Sequence, residues 1–322
     1  MSATYIIGEI GSNFNQSIEQ AKELIGVAAS AGVDAAKFQL FRADVLYPDG
    51  PSEVHQAVKK CELPPEWLSE LKGHCASLGI DFLVSPFDVE AVDHLEKIDV
   101  GAYKIASSEV SNRKLLLRIA RTRKPIFLSV GMSSMADVSE AIEILDSNQS
   151  GDVTLLHCTS VYPTPFKDVA LRVIQTLKAA FGKSVGFSDH SLGIHMPVAA
   201  VTLGAEVIEK HFTLSRELEG PDHSYALEPD ELKEMVRAIR QTEIALTGDR
   251  KLLLDDEKRW GRLRGLYSKN ILPAGSTIQI DDLISRRPLA TAIPARYKRA
   301  IVGERILRRI EKDEPITWDA IG

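Results

Sequence analysis

Two histidines lie 21 positions apart in the sequence, and each ends a short, mostly apolar run. His190 closes Val185-Gly-Phe-Ser-Asp-His190, and His211 closes Val207-Ile-Glu-Lys-His211. Imidazole binds divalent Mn, Fe, Co or Zn, and a carboxylate stands within two positions of each histidine. A metal with open coordination positions polarises a carbonyl oxygen as a Lewis acid. The pair therefore predicts a catalytic metal site, and a purely hydrogen-bonding, structural role for either histidine stays open as the alternative.

A second set of polar side chains follows the other apolar runs of the chain. Lys37 and Lys104 are cations flanked by apolar residues, and serine hydroxyls stand at corresponding places: Ser85, Ser107, Ser129 and Ser188. Fixed positive charge combined with several hydroxyl donors suits a phosphate or a carboxylate. Together with the histidines, this set predicts an anionic phosphorylated substrate that meets a carbonyl compound. Each lysine could instead be an ordinary solvated side chain without a function. A desolvated Lys104 could also form a Schiff base.

Strand-like and helix-like patterns alternate ahead of these polar side chains. The strands are predicted over residues 5–9, 35–39, 81–85, 102–105, 125–129, 153–157, 184–188 and 207–209. The helices are predicted over residues 17–31, 64–78, 89–97, 113–121, 136–146, 171–181, 195–203 and 230–247, several with a glycine stop. Eight such units in about 250 residues are typical of an α/β protein with a (β/α)8 TIM barrel.

A doubly wound open sheet is the alternative fold. Its first strand–helix turn would be expected to carry a GxGxxG phosphate loop, whereas this chain has Gly11-Ser-Asn-Phe-Asn15 there. The barrel is therefore favoured. In a barrel, alternate residues near the carboxyl end of each strand point inward, so the histidines, lysines and serines would converge on one mouth.

The spacing of apolar residues changes after the eighth unit. We predict a barrel domain over residues 1–249, a polar linker or connecting helix over 250–264 and a small β-rich domain over 265–322. A domain of this size buries only about 60% of its unfolded surface and is marginal alone. It is therefore expected to dock on the barrel or on a partner subunit.

Composition excludes several classes of function. The 322 residues carry a formal net charge of −6, so no global basic field attracts nucleic acid or an anionic membrane. The first residues of the chain lack the basic and apolar segments typical of a secretory signal, and no apolar run is long enough to predict a membrane span. The three cysteines, Cys61, Cys75 and Cys158, form no pairing pattern, which favours the cytoplasm. Cys158 is interpreted as a core thiol.

Short sequence blocks follow the strand ends in order. They are Glu9-Ile-Gly-Ser-Asn13, Lys37-Phe-Gln39, Ser85-Pro-Phe87, Ala102-Tyr-Lys-Ile-Ala-Ser-Ser-Glu109, Leu128-Ser-Val-Gly-Met132, His157-Cys-Thr-Ser-Val-Tyr-Pro-Thr-Pro165, Phe187-Ser-Asp-His190, Glu209-Lys-His-Phe-Thr213 and Gly220-Pro-Asp-His223. Together they resemble the sialic acid synthase family, whose members make nonulosonic acids such as N-acetylneuraminate, legionaminate and pseudaminate. The tail, from Asn270-Ile-Leu-Pro-Ala-Gly275 to Arg287-Pro288, resembles the antifreeze-like (SAF) domain that ends these synthases.

The resemblance implies an enzyme that condenses phosphoenolpyruvate with an N-acetylated sugar aldehyde, either N-acetylmannosamine or a related 2,4-diacetamido hexose, and releases phosphate. It implies that His190 and His211 hold a divalent metal, Mn²⁺ or Mg²⁺. The residues implied for phosphoenolpyruvate are Lys37, Lys104, Ser85, Ser107, Ser129, Ser160 and Ser188. Those implied for the sugar are Glu9, Gln39, Tyr162 and Asp222, while Glu209 would orient metal-bound water or substrate. Catalysis itself is assigned to Glu9, Lys37, Lys104 and Glu209.

The resemblance also implies a partner subunit. Arg287 matches an arginine that reaches from the SAF domain into the other subunit's barrel, which implies a domain-swapped homodimer. Some positions depart from the family pattern. Ser85 stands where threonine is common, and Ser160 stands where asparagine is frequent in the sialic acid members. In the tail, Thr291-Ala-Ile-Pro294 lacks the glycine usually found before Ile-Pro.

Three other functions remain as alternatives. A related barrel synthase would use a sugar phosphate and make a 3-deoxy-ulosonic acid phosphate, and the SAF-like tail argues against it. A Schiff-base aldolase would leave the two histidines without a role. A non-catalytic sugar-binding scaffold would not need the intact set of lysine, histidine and glutamate side chains.

Overall fold

The structure is a computed structural model, and it describes residues 3–47, 52–260, 263–287 and 291–322. Pro288 of the tail motif and part of the predicted linker lie outside the described residues. The chain forms two compact units, Met1–Gly248 and Asp249–Gly322. No helix among the described residues is long and apolar enough to cross a membrane.

The first unit holds one parallel sheet. Its described strands are β1 (Tyr5–Gly11), β2 (Ala35–Leu40), β3 (Asp81–Pro86), β4 (Tyr103–Ile105), β5 (Ile126–Ser129), β6 (Val153–Cys158), β7 (Ser184–Asp189) and β8 (Val207–His211). Each strand pairs in parallel with its sequence neighbour from β1 to β3 and from β4 to β8. The first strand also pairs with the last, and β3 approaches β4. This closure makes the sheet a barrel, as predicted, and rules out the open doubly wound sheet.

Helices follow the strands and cover the outside of the barrel. They are α1 (Ile18–Ala31), α2 (Ala43–Leu46), α3 (Glu53–Lys59), α4 (Leu68–Ser77), α5 (Val89–Lys97), α6 (Arg113–Ala120), α7 (Met135–Ser147), α8 (Val173–Phe181), α9 (His195–Thr202) and α10 (Pro229–Ala245). Side chains at several N-termini accept hydrogen bonds from the first turn, among them Ser17, Asp88 and Ser134. These caps fix where each helix leaves its loop.

The structure differs from the predicted elements at three places. The helix predicted from residue 64 begins as a 3₁₀ turn, Pro65–Trp67, and becomes α-helical only at Leu68. The short helices α2 and α3 lie between β2 and α4, where no helix was predicted. β8 continues to His211 because that residue pairs with Glu9 of β1.

Inward-facing residues of the barrel form two layers. Near the amino ends of the strands lies a buried apolar cluster of Ile7, Ala35, Leu83, Leu156 and Val207. Two residues further along the same strands, the inward positions are Glu9, Lys37, Ser85, Cys158 and Glu209. The alternation of strand side chains therefore places the polar layer at the carboxyl ends, directly above an apolar floor.

The second unit begins with α11 (Asp255–Trp260) and contains an antiparallel pair, β9 (Gly265–Ser268) with β10 (Leu283–Arg286). Isolated bridges such as Leu272 to Ile310 and Ile306 to Ile321 join its loops. Its buried core is rich in isoleucine: Leu266, Leu272, Ile278, Leu283, Ile293, Ile301, Ile306, Ile310, Ile316, Ala320 and Ile321. The prediction of a small β-rich C-terminal domain is confirmed.

Candidate active site

A cavity of about 260 Å³ opens at the carboxyl ends of the barrel strands. Its walls are mostly polar side chains, and all eight strands or the loops that follow them contribute to it. Its lining residues are Glu9, Lys37, Gln39, Ser85, Phe87, Lys104, Ala106, Ser107, Ser108, Ser129, Met132, Cys158, Ser160, Tyr162, Ser188, His190, Glu209 and His211. The predicted convergence of strand-end side chains on one mouth therefore occurs.

Carboxylates and ammonium groups alternate across the bottom of this cavity. Lys37 Nζ lies 2.7 Å from Glu9 Oε2 and 3.6 Å from Glu209 Oε2. Lys104 Nζ lies 3.5 Å from Glu209 Oε1, which also accepts a 2.8 Å hydrogen bond from the Ser188 hydroxyl. All four charged groups are buried. Glu209 is thus the shared centre of the cluster.

Burial and mutual charge set the protonation of this cluster. Although burial opposes ionisation of Glu209, Lys104 and Lys37 lower the pKa of its carboxyl to about 2. Burial lowers the pKa of Lys104. Burial also acts against the ammonium of Lys37, but the Glu209 and Glu9 carboxylates raise its pKa. Burial raises the pKa of Glu9. Glu209 is therefore an anion at neutral pH and cannot serve as a proton donor.

Several donors in the cavity have spare capacity. Ser129 Oγ is buried and has no hydrogen-bond partner. The contact described for Lys104 Nζ is its ion pair with Glu209, at 3.5 Å. Ser85 Oγ accepts a 3.3 Å hydrogen bond from Lys37 Nζ, so its own O–H is available to donate to a ligand. A buried donor without a full set of partners is costly, so these groups favour an anionic ligand whose oxygens complete them.

The β5–α7 loop brings its backbone into the cavity wall. The Gly131 N–H donates to Ser107 Oγ at 2.9 Å. A Cβ at Gly131 would lie 2.6 Å from Ser160 Oγ and 2.9 Å from Ser107 Oγ. Since real Cβ atoms do not approach this closely, glycine is required for the two serines to sit where they do.

The two histidines face each other across the rim. Their ring centroids are 5.5 Å apart, and the Tyr162 ring packs 4.3 Å from that of His190. Burial lowers the pKa of His190 to about 4 and also lowers the pKa of His211, so both imidazoles are neutral near pH 7. His190 Nδ1 lies 3.0 Å from the carbonyl oxygen of Thr159. That contact favours a proton on Nδ1 and leaves Nε2 as a free lone pair.

Asp222 reaches the rim from the loop after β8. Its Oδ2 lies 4.0 Å from His211 Nδ1 and accepts a 3.1 Å hydrogen bond from the Ser12 hydroxyl. Tyr225 donates to Oδ1 at 2.7 Å. A Cβ at Gly11, which has φ +56°, would lie 2.7 Å from Asp222 Oδ2. The end of β1 is thus kept bare so that this carboxylate can approach His211.

The donor set suits a divalent metal whose coordination is completed by other ligands. His190 and His211 are neutral, as metal ligation requires, and His211 Nδ1 is a buried atom without a hydrogen-bond partner. Within the described ranges there is no preassembled group of three His, Cys, Asp or Glu that could hold an ion. Any metal here would therefore rest on two imidazoles and take its remaining ligands from substrate and water.

The predicted site residues fall into three groups. All but two of them line the cavity, and one of the two exceptions, Asp222, approaches it through His211. The other, Arg287, follows β10 in the C-terminal unit and has an exposed side chain. The structure adds Phe87, Ala106, Ser108, Met132 and Cys158 to the lining.

Cys158 corrects one sequence-based interpretation. It is buried, as expected of a core thiol, but it lines the cavity and its Sγ lies 3.8 Å from His190 Nδ1. Leu156 of β6 belongs to the apolar floor of the barrel. Because side chains alternate along a strand, this position already indicates that Cys158 also faces inward.

Comparison with known proteins gives a consistent result. Residues 24–251 match the NeuB family, and residues 264–322 match the SAF domain. The chain is 38% identical over 333 residues to N,N'-diacetyllegionaminic acid synthase of Campylobacter jejuni, covering 98% of this chain and 99% of that protein. It is 35% identical over 322 residues to a pseudaminic acid synthase of the same species, covering 95% and 93%.

A solved structure shares both sequence and fold. It is the N-acetylneuraminic acid (sialic acid) synthetase of Leptospira borgpetersenii, at 34% identity and a TM-score of 0.76. The match covers 80% of this chain and 90% of that one.

Proposed function

This chain belongs to the NeuB family, and from that membership we propose that it is a nonulosonic acid synthase. It condenses phosphoenolpyruvate with an N-acetylated sugar aldehyde, giving a nine-carbon keto acid and phosphate. The observation that carries the proposal is the set of incompletely bonded donors, above all Lys104 and Ser129, buried in one cavity with two neutral histidines.

Phosphoenolpyruvate carries a carboxylate and a phosphate, and both need fixed donors. Lys37 and Lys104 supply the positive charge, and hydroxyls around them supply directional hydrogen bonds: Ser85, Ser107, Ser129, Ser160 and Ser188. Ser85 keeps a hydroxyl at a position where the family often has threonine. Ser160 places a hydroxyl where the sialic acid members often have the carboxamide of asparagine, so this contact to phosphoenolpyruvate differs. Because these charged side chains are buried, each electrostatic contact to a bound substrate is stronger than it would be in water.

A divalent metal on His190 and His211 would supply Lewis-acid polarisation of the aldehyde oxygen. Imidazole ligands suit Mn²⁺ better than Mg²⁺, which prefers oxygen. The Thr159 carbonyl fixes the orientation of the His190 ring through Nδ1. Asp222 lies 4.0 Å from His211 Nδ1, which has no hydrogen-bond partner, so this carboxylate acts on His211 through its charge.

The protein's own side chains then divide the work. The C3 atom of phosphoenolpyruvate forms the new bond to the aldehyde carbon as the C2–C3 double bond opens. Water adds at C2 and gives up one proton, which balances the proton taken up by the aldehyde oxygen. The C2 hydroxyl then loses its proton as the C2–O bond to phosphate breaks, which leaves a ketone and releases hydrogen phosphate. Glu209 is held ionised and hydrogen-bonded by Ser188, so it orients the attacking water and accepts hydrogen bonds from it. Glu9, Gln39, Tyr162 and Asp222 face the sugar.

The test is turnover across a panel of aldehydes. Phosphate release from phosphoenolpyruvate is measured with N-acetylmannosamine and with 2,4-diacetamido hexoses, with and without Mn²⁺, and the product acid is identified by mass. We expect release with at least one aldehyde and its loss on chelation. His211→Ala should stay folded but inactive, while Lys114→Met on the exposed face of α6 serves as the control. Absence of release with every aldehyde in the presence of metal would refute the synthase.

Arg287 and the dimer belong to the same proposal. In a cytoplasmic homodimer with exchanged C-terminal domains, Arg287 of one subunit would contact sugar in the other subunit's barrel. Sedimentation should then give a dimer, and mixing inactive His211→Ala with inactive Arg287→Ala should restore part of the activity. A monomer that is fully active would contradict this arrangement.

A further inference from the structure

A second buried ion pair lies on the outer face of the same strands. Lys210 Nζ is 2.6 Å from Asp189 Oδ2, and each side chain is only 1% exposed. Lys210 alternates with Glu209 and His211 along β8, so it points away from the cavity and toward the surrounding helices. None of the steps proposed for the reaction uses this pair.

The Lys210–Asp189 pair forms hydrogen bonds that hold the backbone next to His190. Besides Asp189, the Lys210 ammonium donates to the carbonyl oxygen of Ser191. Asp189 Oδ1 in turn accepts a 2.9 Å hydrogen bond from the Ser191 N–H. Residues 189 and 191 are thereby fixed to β8, and His190 stands between them.

The two histidines differ in how the sheet holds them. His211 is paired with Glu9 in the ladder between β8 and β1. His190 lies one residue beyond the end of β7, whose last ladder pair joins Asp189 to Lys210. Its described anchors outside the pair are the Thr159 carbonyl, at 3.0 Å from Nδ1, and the Thr164 N–H, which donates to its carbonyl oxygen at 2.9 Å.

Stability alone does not explain a pair of charges at this place. Desolvation offsets much of the attraction between buried charges, and a well-packed apolar pair often serves as well. An apolar pair could not, however, bond both the N–H and the C=O of Ser191. The contacts that distinguish Lys210 and Asp189 are those that orient the His190 backbone.

We infer that Lys210 and Asp189 are positioning residues that hold His190 in register with His211 across the cavity rim. The inference rests on the proposed function for its consequence, since correct spacing of the two imidazoles is what a shared metal needs. Loss of an outer partner of this kind weakens metal binding by about 10- to 100-fold.

The experiment compares three folded proteins. Lys210→Met leaves Asp189 as a lone buried charge, so the double variant Lys210→Met/Asp189→Asn is used, which removes both charges together. Lys178→Met is the control, because it breaks the 2.6 Å ion pair with Glu206 at the amino ends of β7 and β8. Val185→Ala, a truncation in the core on β7, controls for lost stability.

Two measurements separate the outcomes. Calorimetry with Mn²⁺ alone should show at least a 10-fold weaker Kd for the double variant and an unchanged Kd for both controls. Spectra of metal-free protein with ¹⁵N-labelled histidine, assigned with His190→Gln, should show altered His190 ring signals in the double variant only. Steady-state kinetics should show a fall in kcat, with KM for phosphoenolpyruvate within twofold.

Unchanged His190 signals in the folded double variant would overturn the positioning role. An equal loss of Mn²⁺ affinity in Val185→Ala would show that the double variant acts through a general loss of stability, and this result would also overturn the positioning role. If wild-type protein binds no Mn²⁺ while the double variant still alters the His190 signals, the metal role fails and the positioning role stands.

Discussion

Two buried sets of charges occupy opposite faces of β7 and β8. On the cavity face, Glu209 meets Lys104 at 3.5 Å and Lys37 at 3.6 Å, and its Oε2 has no hydrogen-bond partner. On the helix face, Lys210 meets Asp189 at 2.6 Å, and both oxygens of Asp189 are engaged. The ion pairs of Glu209 are therefore long and one of its oxygens has no hydrogen-bond partner, whereas the Lys210–Asp189 ion pair is short and both carboxylate oxygens accept hydrogen bonds.

The difference separates ligand binding from architecture on one pair of strands. Donors that are not fully used inside the protein gain most when a ligand arrives, so changes there should affect turnover more than folding. A saturated pair has nothing left for a ligand, so its loss should affect the free energy of unfolding first.

The largest effect is expected from Lys104→Met. It removes a buried cation that would face the phosphate or carboxylate of the substrate, and kcat/KM for phosphoenolpyruvate should fall about 10³-fold, or roughly 4 kcal/mol. The free energy of unfolding in urea should stay within about 1 kcal/mol of wild type, because burial already disfavours this charge and Glu209 keeps Lys37 at 3.6 Å and the hydrogen bond from Ser188. A variant with near-normal kcat/KM and a large loss of stability would contradict the assignment of the cavity charges to substrate binding.

Lys210→Met should show the reverse pattern. Asp189 would be left as an uncompensated buried carboxylate, so the free energy of unfolding should fall by about 3–5 kcal/mol. Urea denaturation followed by circular dichroism measures it. Adding Asp189→Asn should restore most of the loss, and failure of the second change to do so would place the cost in packing instead of charge.

The pH dependence of stability should sharpen the role of His190. Its pKa is lowered from 6.5 to about 4 in the folded, metal-free protein, so the unfolded chain binds the extra proton first as the pH falls. Its contribution is complete above pH 6.5 and is lost toward pH 4, with about 2 kcal/mol lost between pH 7 and pH 5.

Urea titrations of wild type and His190→Gln at several pH values test this assignment. The variant should be less sensitive to acid by about that amount over the same interval. Equal slopes in the two proteins would show that His190 is not the titrating group.

The smallest effect is expected at the other end of the strands. Lys178→Met breaks a half-exposed ion pair with Glu206, and such pairs contribute under about 1 kcal/mol. Neither kcat nor the unfolding midpoint should change measurably. A large loss in either would mean that a change at the amino ends of β7 and β8 affects the residues at their carboxyl ends. The effects of the cavity face and the helix face could then not be measured separately.

Most of the barrel and its mouth could be predicted because both follow from the short-range periodicity of apolar residues along the strands and helices. Strand ends can be found from local apolar runs, and alternation along each strand then indicates that Glu9, Lys37 and Glu209 share an inward face. The length of β8 could not be predicted, because it is set by pairing between His211 and Glu9, far away in the chain.

Periodicity cannot predict residues whose place depends on tertiary contacts. Asp189 ends a strand that is followed by a helix, where an aspartate usually caps the helix, yet α9 begins only at His195 and the carboxylate instead meets Lys210 and Ser191. Asp222 lies eleven positions beyond His211 in an irregular loop, so only family resemblance pointed to it. Neither position follows from propensity or pattern, since tertiary hydrogen bonds decide both.

The pairing of β1 with β8 also governs the order in which the molecule can assemble. Glu9 and His211 are ladder partners about 200 residues apart, so their contact requires closure of nearly the whole first unit. Contacts of such separation form late, after local strand–helix units have collapsed. On the ribosome, the nascent chain completes its reactive rim only after the last barrel strand has emerged, and partly made chains carry the lysines without the histidine that faces them.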